Sequence, residues 1–124
     1  MNDLYLHGLF ALGGGLGAVL RHWIAQTITH DLPVSTLVVN VMGSLLLGAW
    51  IANLGGLPSM GEEERQLVFG FCGGFTTFSS FAYQTLKLHR DRSVLTAAGN
   101  IGLSLILCGI GFWLGLWGVG ALLG

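Results

Sequence analysis

A chain of 124 residues has room for one small domain. Only 9% of its residues are Asp, Glu, Lys or Arg, 52% are hydrophobic and the mean hydropathy is +0.72, which excludes a soluble domain, because small domains bury too little surface to hide so much apolar area. Five basic against six acidic side chains exclude a basic nucleic-acid surface, and 21 glycines without a Gly-X-Y period, beside two prolines, exclude collagen and disordered low-complexity chain; what remains is an integral membrane protein.

Stretches 4–20, 32–61, 66–86 and 93–124 carry no formal charge. A helix needs about 20 residues to cross a ~30 Å hydrocarbon core. The chain therefore predicts an all-α fold of four spans, 4–28, 33–55, 65–87 and 94–121, in a single domain of two helical hairpins. Span one takes Arg21 near its end, with the head snorkelling or paired. Asp31-Leu32-Pro33 separates spans one and two, since proline fits a first helical turn and disfavours helix just before it. Gly55-Gly56-Leu57-Pro58-Ser59 closes span two, and Glu62, Glu63 and Glu64 complement the positive end of the third helix. His89-Arg90-Asp91-Arg92 forms the last turn between spans. The start, Met1-Asn2-Asp3, has no basic region and no small-residue cleavage site follows, so no signal peptide is expected. Cys72 and Cys108 lie in apolar stretches outside any CxxC and read as small core residues. Lys87, Arg90 and Arg92, with Arg21 on the same side and Arg65 on the other, give a shallow bias toward both termini outside.

The spans carry more polar groups than lipid-facing helices tolerate. Thr36, Asn40 and Ser44 recur at i, i+4, i+8 on the second helix, and Asn100, Ser104 and Cys108 repeat the spacing on the fourth. The third contains Thr76-Thr77-Phe78-Ser79-Ser80-Phe81, then Tyr83, Gln84 and Thr85. Interhelical hydrogen bonding accounts for any one of these at ~0.6 kcal/mol; three aligned stripes point to a pore. Small-xxx-small faces at Gly13/Gly17, Ser44/Gly48, Gly70/Gly74 and Gly111/Gly115 mark where helices meet. Four close-packed helices leave little room for water, so a pore calls for an oligomer. The run from Gly70 to Phe81 puts helix-weakening glycines beside threonines at mid-membrane. It reads either as a glycine-rich packing face or as a helix break whose freed carbonyls line a cavity or bind a cation. Phe78 and Phe81, at i, i+3, send both rings from one face, and positive ring edges contact an anion without trapping it.

Ordinary catalysis finds no site: there is no HExxH, no Walker loop and no nucleophile elbow. His7, His22, His30 and His89 are scattered, mostly at span ends. Every Asp and Glu lies at a span end or in a loop, which argues against proton coupling and for passive conduction.

Three stretches resemble one family in order. Residues 13–21, GGGLGAVLR, resemble a first-helix GGxxGAxxR signature; residues 36–44, TLVVNVMGS, resemble a second-helix TLxVNxxGS stretch; and residues 70–81, GFCGGFTTFSSF, resemble a third-helix signature. Together they resemble the Fluc fluoride channels, the CrcB family. The resemblance implies an antiparallel, dual-topology homodimer in the cell inner membrane, with a break in the third helix and two fluoride pores. It also implies one structural, untransported Na⁺ at the dimer centre, held by the backbone carbonyls of Gly73 and Thr76 from each subunit. Asn40 then maps to the pore-lining asparagine, Phe78 and Phe81 to the pore phenylalanines, Ser80 and Thr77 to a polar track beside them, and Arg21 to the basic residue of a wide vestibule. Thr36, one turn before Asn40, and Ser104 join the pore set; Asn100 stands where relatives often carry an aromatic nearby. The expected activity is undriven fluoride export, with the stripped hydration shell replaced by the Asn40 amide, the Ser80 and Thr77 hydroxyls and the two ring edges. The alternatives are a small dimeric multidrug-type transporter, which would want an intramembrane carboxylate, and an accessory membrane subunit with no pore.

Overall fold

The computed structural model describes residues 3–28, 34–53 and 61–123, and its regular structure is helical throughout. Five helices follow in chain order: α1 (Asp3–Thr27), α2 (Val34–Asn53), α3 (Glu62–Phe75), α4 (Ser79–Asp91) and α5 (Val94–Leu123). α1, α2 and α5 are long and apolar enough to cross a bilayer. The stretch expected to form the third span is divided between α3 and α4, of 14 and 13 residues, with Thr76, Thr77 and Phe78 outside either helix. The expected boundaries at Asp31-Leu32-Pro33 and Gly55–Ser59 lie outside the described residues.

Local chemistry sets the helix ends. At the start of α3 the Gly61 N–H donates to Glu64 Oε2 at 3.3 Å and the Arg65 N–H to the Gly61 carbonyl at 3.0 Å, with Glu62, Glu63 and Glu64 in the first turn. Ser93 caps α5, its Oγ accepting the Thr96 N–H at 3.1 Å. The loop before it is tighter than the sequence implied. His89, Arg90 and Asp91 still belong to α4, and the N–H groups of Arg92 and Ser93 both turn back onto the Leu88 carbonyl at 2.9 and 3.0 Å.

The helices pair across the chain: α1 lies along α3, α2 along α5, and α4 packs on α5. Glycine makes the first pairing close. A Cβ on Gly17 would fall on the Phe71 carbonyl oxygen, and one on Gly74 on the Gly14 carbonyl oxygen, so both positions exclude every side chain while the helices stay where they are. The second pairing is built alike, with Gly48 against the Phe112 carbonyl and Gly115 against that of Leu45. Phe75, fully buried, stacks on Phe71 with ring centroids 5.8 Å apart, and the Phe71 ring meets Trp50 of α2 edge-on at 5.5 Å. That brace holds the end of α3 against α2, next to the non-helical residues. The outward faces remain apolar, with Leu12, Leu16 and Trp23 on α1 and Leu105, Ile106, Trp113 and Trp117 on α5 all exposed, as a lipid-facing surface requires.

Candidate functional site

An open recess of about 280 Å³ lies where α2, α5 and the 76–78 link converge. Its wall takes Asn40 and Ser44 from α2, Thr76, Thr77 and Phe78 from the link, Phe81 from α4 and Ser104 from α5, with Leu105 and Cys108 completing it. Six residues expected from the sequence thus share one space: Asn40, Thr76, Thr77, Phe78, Phe81 and Ser104. Thr36 is buried one turn away on α2 and does not reach the wall. Ser80 also stands outside it, half-buried in the first turn of α4.

The link is held by substitutes for the helical hydrogen bonds it forgoes. Asn40 provides two: its Oδ1 accepts the Thr77 N–H at 2.8 Å and its Nδ2 donates to the Thr77 carbonyl at 3.1 Å. In an unbroken helix that Thr77 N–H would go to the Gly73 carbonyl. Likewise the Ser80 N–H, which helix would give to the Thr76 carbonyl, goes to Thr77 Oγ1 at 3.2 Å. The hydroxyl of Thr77 lies a further 3.3 Å from that of Ser79. Thr76 turns inward instead, both its N–H and its hydroxyl donating to the Cys72 carbonyl at 2.9 and 2.7 Å. Arg21 closes the carbonyl between these two, its Nε donating to the Gly74 oxygen at 3.0 Å. A cation there also meets the negative end of α3.

The donors facing the recess are therefore fewer than the residue types promise. Ser44 spends its hydroxyl hydrogen on the Asn40 carbonyl at 2.8 Å, and Thr76 spends its own on Cys72. Asn40 keeps one of its two amide hydrogens, because only one is given to Thr77. Ser104 adds a hydroxyl. Phe78 and Phe81 complete the lining, their centroids 5.8 Å apart and their planes at 49°. Both line the same recess, Phe78 from the N-cap position of α4, where it is 78% exposed, and Phe81 half-buried within the helix.

Two parts of the sequence expectation resolve differently from their spacing. The stripe on the last helix divides, with Ser104 and Cys108 on the recess and Asn100 on a separate apolar cavity beside Val34, Leu37 and Leu88. Asn100 there donates its Nδ2 to Thr85 Oγ1 at 2.9 Å. Arg21 reaches a backbone carbonyl at the end of α3, a contact that spacing along α1 could not announce. Among the described residues no cluster of three His, Cys, Asp or Glu is placed to hold a metal.

Comparison with known proteins gives a single answer. The family described as "CrcB-like protein, Camphor Resistance (CrcB)" matches residues 8–116. The chain is 45% identical over 113 residues to the fluoride-specific ion channel FluC of Rhodospirillum rubrum, an alignment covering 85% of this chain and 87% of that protein. It is 45% identical over 120 residues to that of Opitutus terrae, covering 91% and 89%, and 42% identical over 125 residues to that of Thermus thermophilus, covering 94% of each. With this match spanning the helices that build the recess, the chain belongs to the CrcB family.

Proposed function

We propose that this chain forms a passive, fluoride-selective channel in the cell inner membrane, working as an antiparallel homodimer that lets F⁻ leave the cytoplasm. The observation that carries the reading is the recess itself: an amide hydrogen, a serine hydroxyl and two phenylalanine rings around a space with no charged side chain among the described residues of its wall. The relatives named above as fluoride channels support it. Fluoride is small and holds water tightly, so a pore has to offer substitute donors while binding weakly enough to release the ion. A full positive charge would hold it; neutral donors and ring edges do not. Arg21 keeps its charge near by but spends its Nε on Gly74, which draws anions toward the recess without placing a cation in it. No driving reaction is needed. Fluoride enters as HF, dissociates and is retained as the anion, and an inside-negative potential favours its exit by ~2.3 kcal/mol per 100 mV.

The residues at the link suit a structural Na⁺. The Gly73 and Thr76 carbonyls both lose their helical partners, the Thr77 N–H to Asn40 Oδ1 and the Ser80 N–H to Thr77 Oγ1. Gly73 is also exposed, with nothing near the position a Cβ would take. In a pair of chains these two oxygens from each subunit would hold the ion, which supplies a fixed positive charge binding the two links together. The exposed ring of Phe78 and the open side of the recess support a second subunit docking there.

A bacterial host stripped of its own fluoride resistance tests the function. Expressing this chain restores growth in fluoride, and expressing Phe81→Ala at the same level does not. Equal sensitivity with and without the native chain contradicts the reading.

A further inference from the structure

We infer that Asn40 is the positioning residue of the 76–78 link: by bonding both polar backbone groups of Thr77, it keeps α3 and α4 from merging into one helix and leaves the Gly73 carbonyl open. The role follows from competition for one hydrogen. The Thr77 N–H has two acceptors within its reach by topology, the Gly73 carbonyl along the chain and the Asn40 Oδ1 arriving from α2, and it goes to Asn40 at 2.8 Å. In a lipid setting an interruption survives only where each displaced backbone group finds another partner. The other substitutes at the link satisfy one group each: Arg21 takes the Gly74 carbonyl and Thr77 Oγ1 the Ser80 N–H. Asn40 alone takes a donor and an acceptor of the same residue, and two bonds fix the orientation of that residue where one would let it swing.

The approach of α2 is shaped for this. A Cβ at Gly43, one turn along from Asn40, would strike the Thr76 methyl and crowd the Phe75 ring, so the missing side chain lets the link lie close enough for a short amide to span it. The Ser44 hydroxyl bonds the Asn40 carbonyl, which leaves the Asn40 side chain to the link. Serine at 40 carries its donor and acceptor on one oxygen that ends a bond short of the two amide atoms, and glutamine would have to fold an extra methylene into the same gap. The pore role read from the sequence uses the second Nδ2 hydrogen, and the two roles coexist on one amide.

The clause about the Gly73 carbonyl rests on the cation reading above; the clause about the link does not, and two measurements on the full-length dimer in lipid separate them. Site-resolved NMR shifts of Thr77 report its backbone directly. They are non-helical in the native chain and move to helical values in Asn40→Ala; Asn40→Asp, which keeps the acceptor for the Thr77 N–H but has no hydrogen for the Thr77 carbonyl, brings them back only part of the way. Ser44→Ala leaves them unchanged. Non-helical Thr77 shifts in Asn40→Ala overturn the proposal. The second measurement is the Na⁺ concentration giving half-maximal thermal stabilisation, which rises about tenfold in Asn40→Ala. An unchanged value in Asn40→Ala removes the Gly73 clause. A native dimer with no Na⁺-specific stabilisation counts against the cation reading, while the Thr77 shifts still decide the positioning role.

Discussion

Phe78 is held by its place in the chain more than by packing. It precedes α4, leaves 78% of its surface uncovered and touches the Phe81 ring at 5.8 Å. Removing such a ring costs the fold little, because little area returns to a different environment. Phe78 lines the recess, and in the proposed channel its ring contributes an anion contact worth on the order of 1 kcal/mol. Phe78→Leu is therefore expected to slow fluoride efflux about tenfold while leaving the melting temperature of the detergent-solubilised protein within a degree or two. A melting temperature that falls with the flux would make Phe78 a packing residue. Spacing and polarity marked the stripes that hold Asn40 and Ser104 and the run that holds Thr77, Phe78 and Phe81, since polar groups and glycines at mid-membrane demand a reason, and the family resemblance joined these residues as one set. What spacing could not say is where each hydrogen goes. The target of Asn40 is a backbone 37 positions away, and the target of Arg21 is 53 away. Such pairings exist only once the helices have docked.

At the scale of the element, the close pairing of α1 with α3 is a property of missing side chains. The four small-residue pairs were visible along the chain, but which helix each would meet was not, because every such face offers the same groove. The structure joins Gly13 and Gly17 to α3 and Gly48 to α5, while Ser44, named with Gly48 from the spacing, turns to the recess. Adding one methyl at Gly74 puts it against the Gly14 carbonyl oxygen, a backbone atom that moves only if α1 shifts with it. Gly74→Ala is expected to destabilise the protein by ~1–3 kcal/mol, the usual cost of overpacking. Gly15→Ala, at a position with nothing within 4 Å, is expected to change stability by less than ~0.5 kcal/mol. Thermal unfolding in detergent compares them, and equal losses would mean that the close approach is not what stabilises the pair. The division between α3 and α4 has the same character. Glycines and threonines weaken helix over a dozen positions; Asn40 and Thr77 Oγ1 put the interruption at 76–78 by taking the N–H groups of Thr77 and Ser80.

The whole molecule has a surface that a single chain leaves unfinished. Leu95, Phe78 and Leu4 are each more than three-quarters exposed, and the recess opens outward beside Phe78. Lipid covers a Leu; in the proposed dimer the second subunit covers the open recess. If a Na⁺ at the link joins the two, replacing it with N-methylglucamine lowers the melting temperature of the dimer and slows fluoride flux together, and restoring Na⁺ reverses both. Unchanged stability in the organic cation would remove the ion from the account. The loop charges, with Lys87, Arg90 and Arg92 at one end and Arg65 at the other, leave only a small orientation bias for an antiparallel pair to overcome.

The proposed function is a neutral pore for one tightly hydrated anion, and fluoride efflux from liposomes measures that pore directly. Purified protein is reconstituted in vesicles loaded with potassium fluoride, valinomycin carries the balancing potassium, and a fluoride electrode follows release. The account predicts rapid fluoride release from vesicles containing the protein and none from matched vesicles loaded with chloride when chloride is followed instead. Fluoride release no faster than from protein-free vesicles, or equal release of chloride, would contradict it.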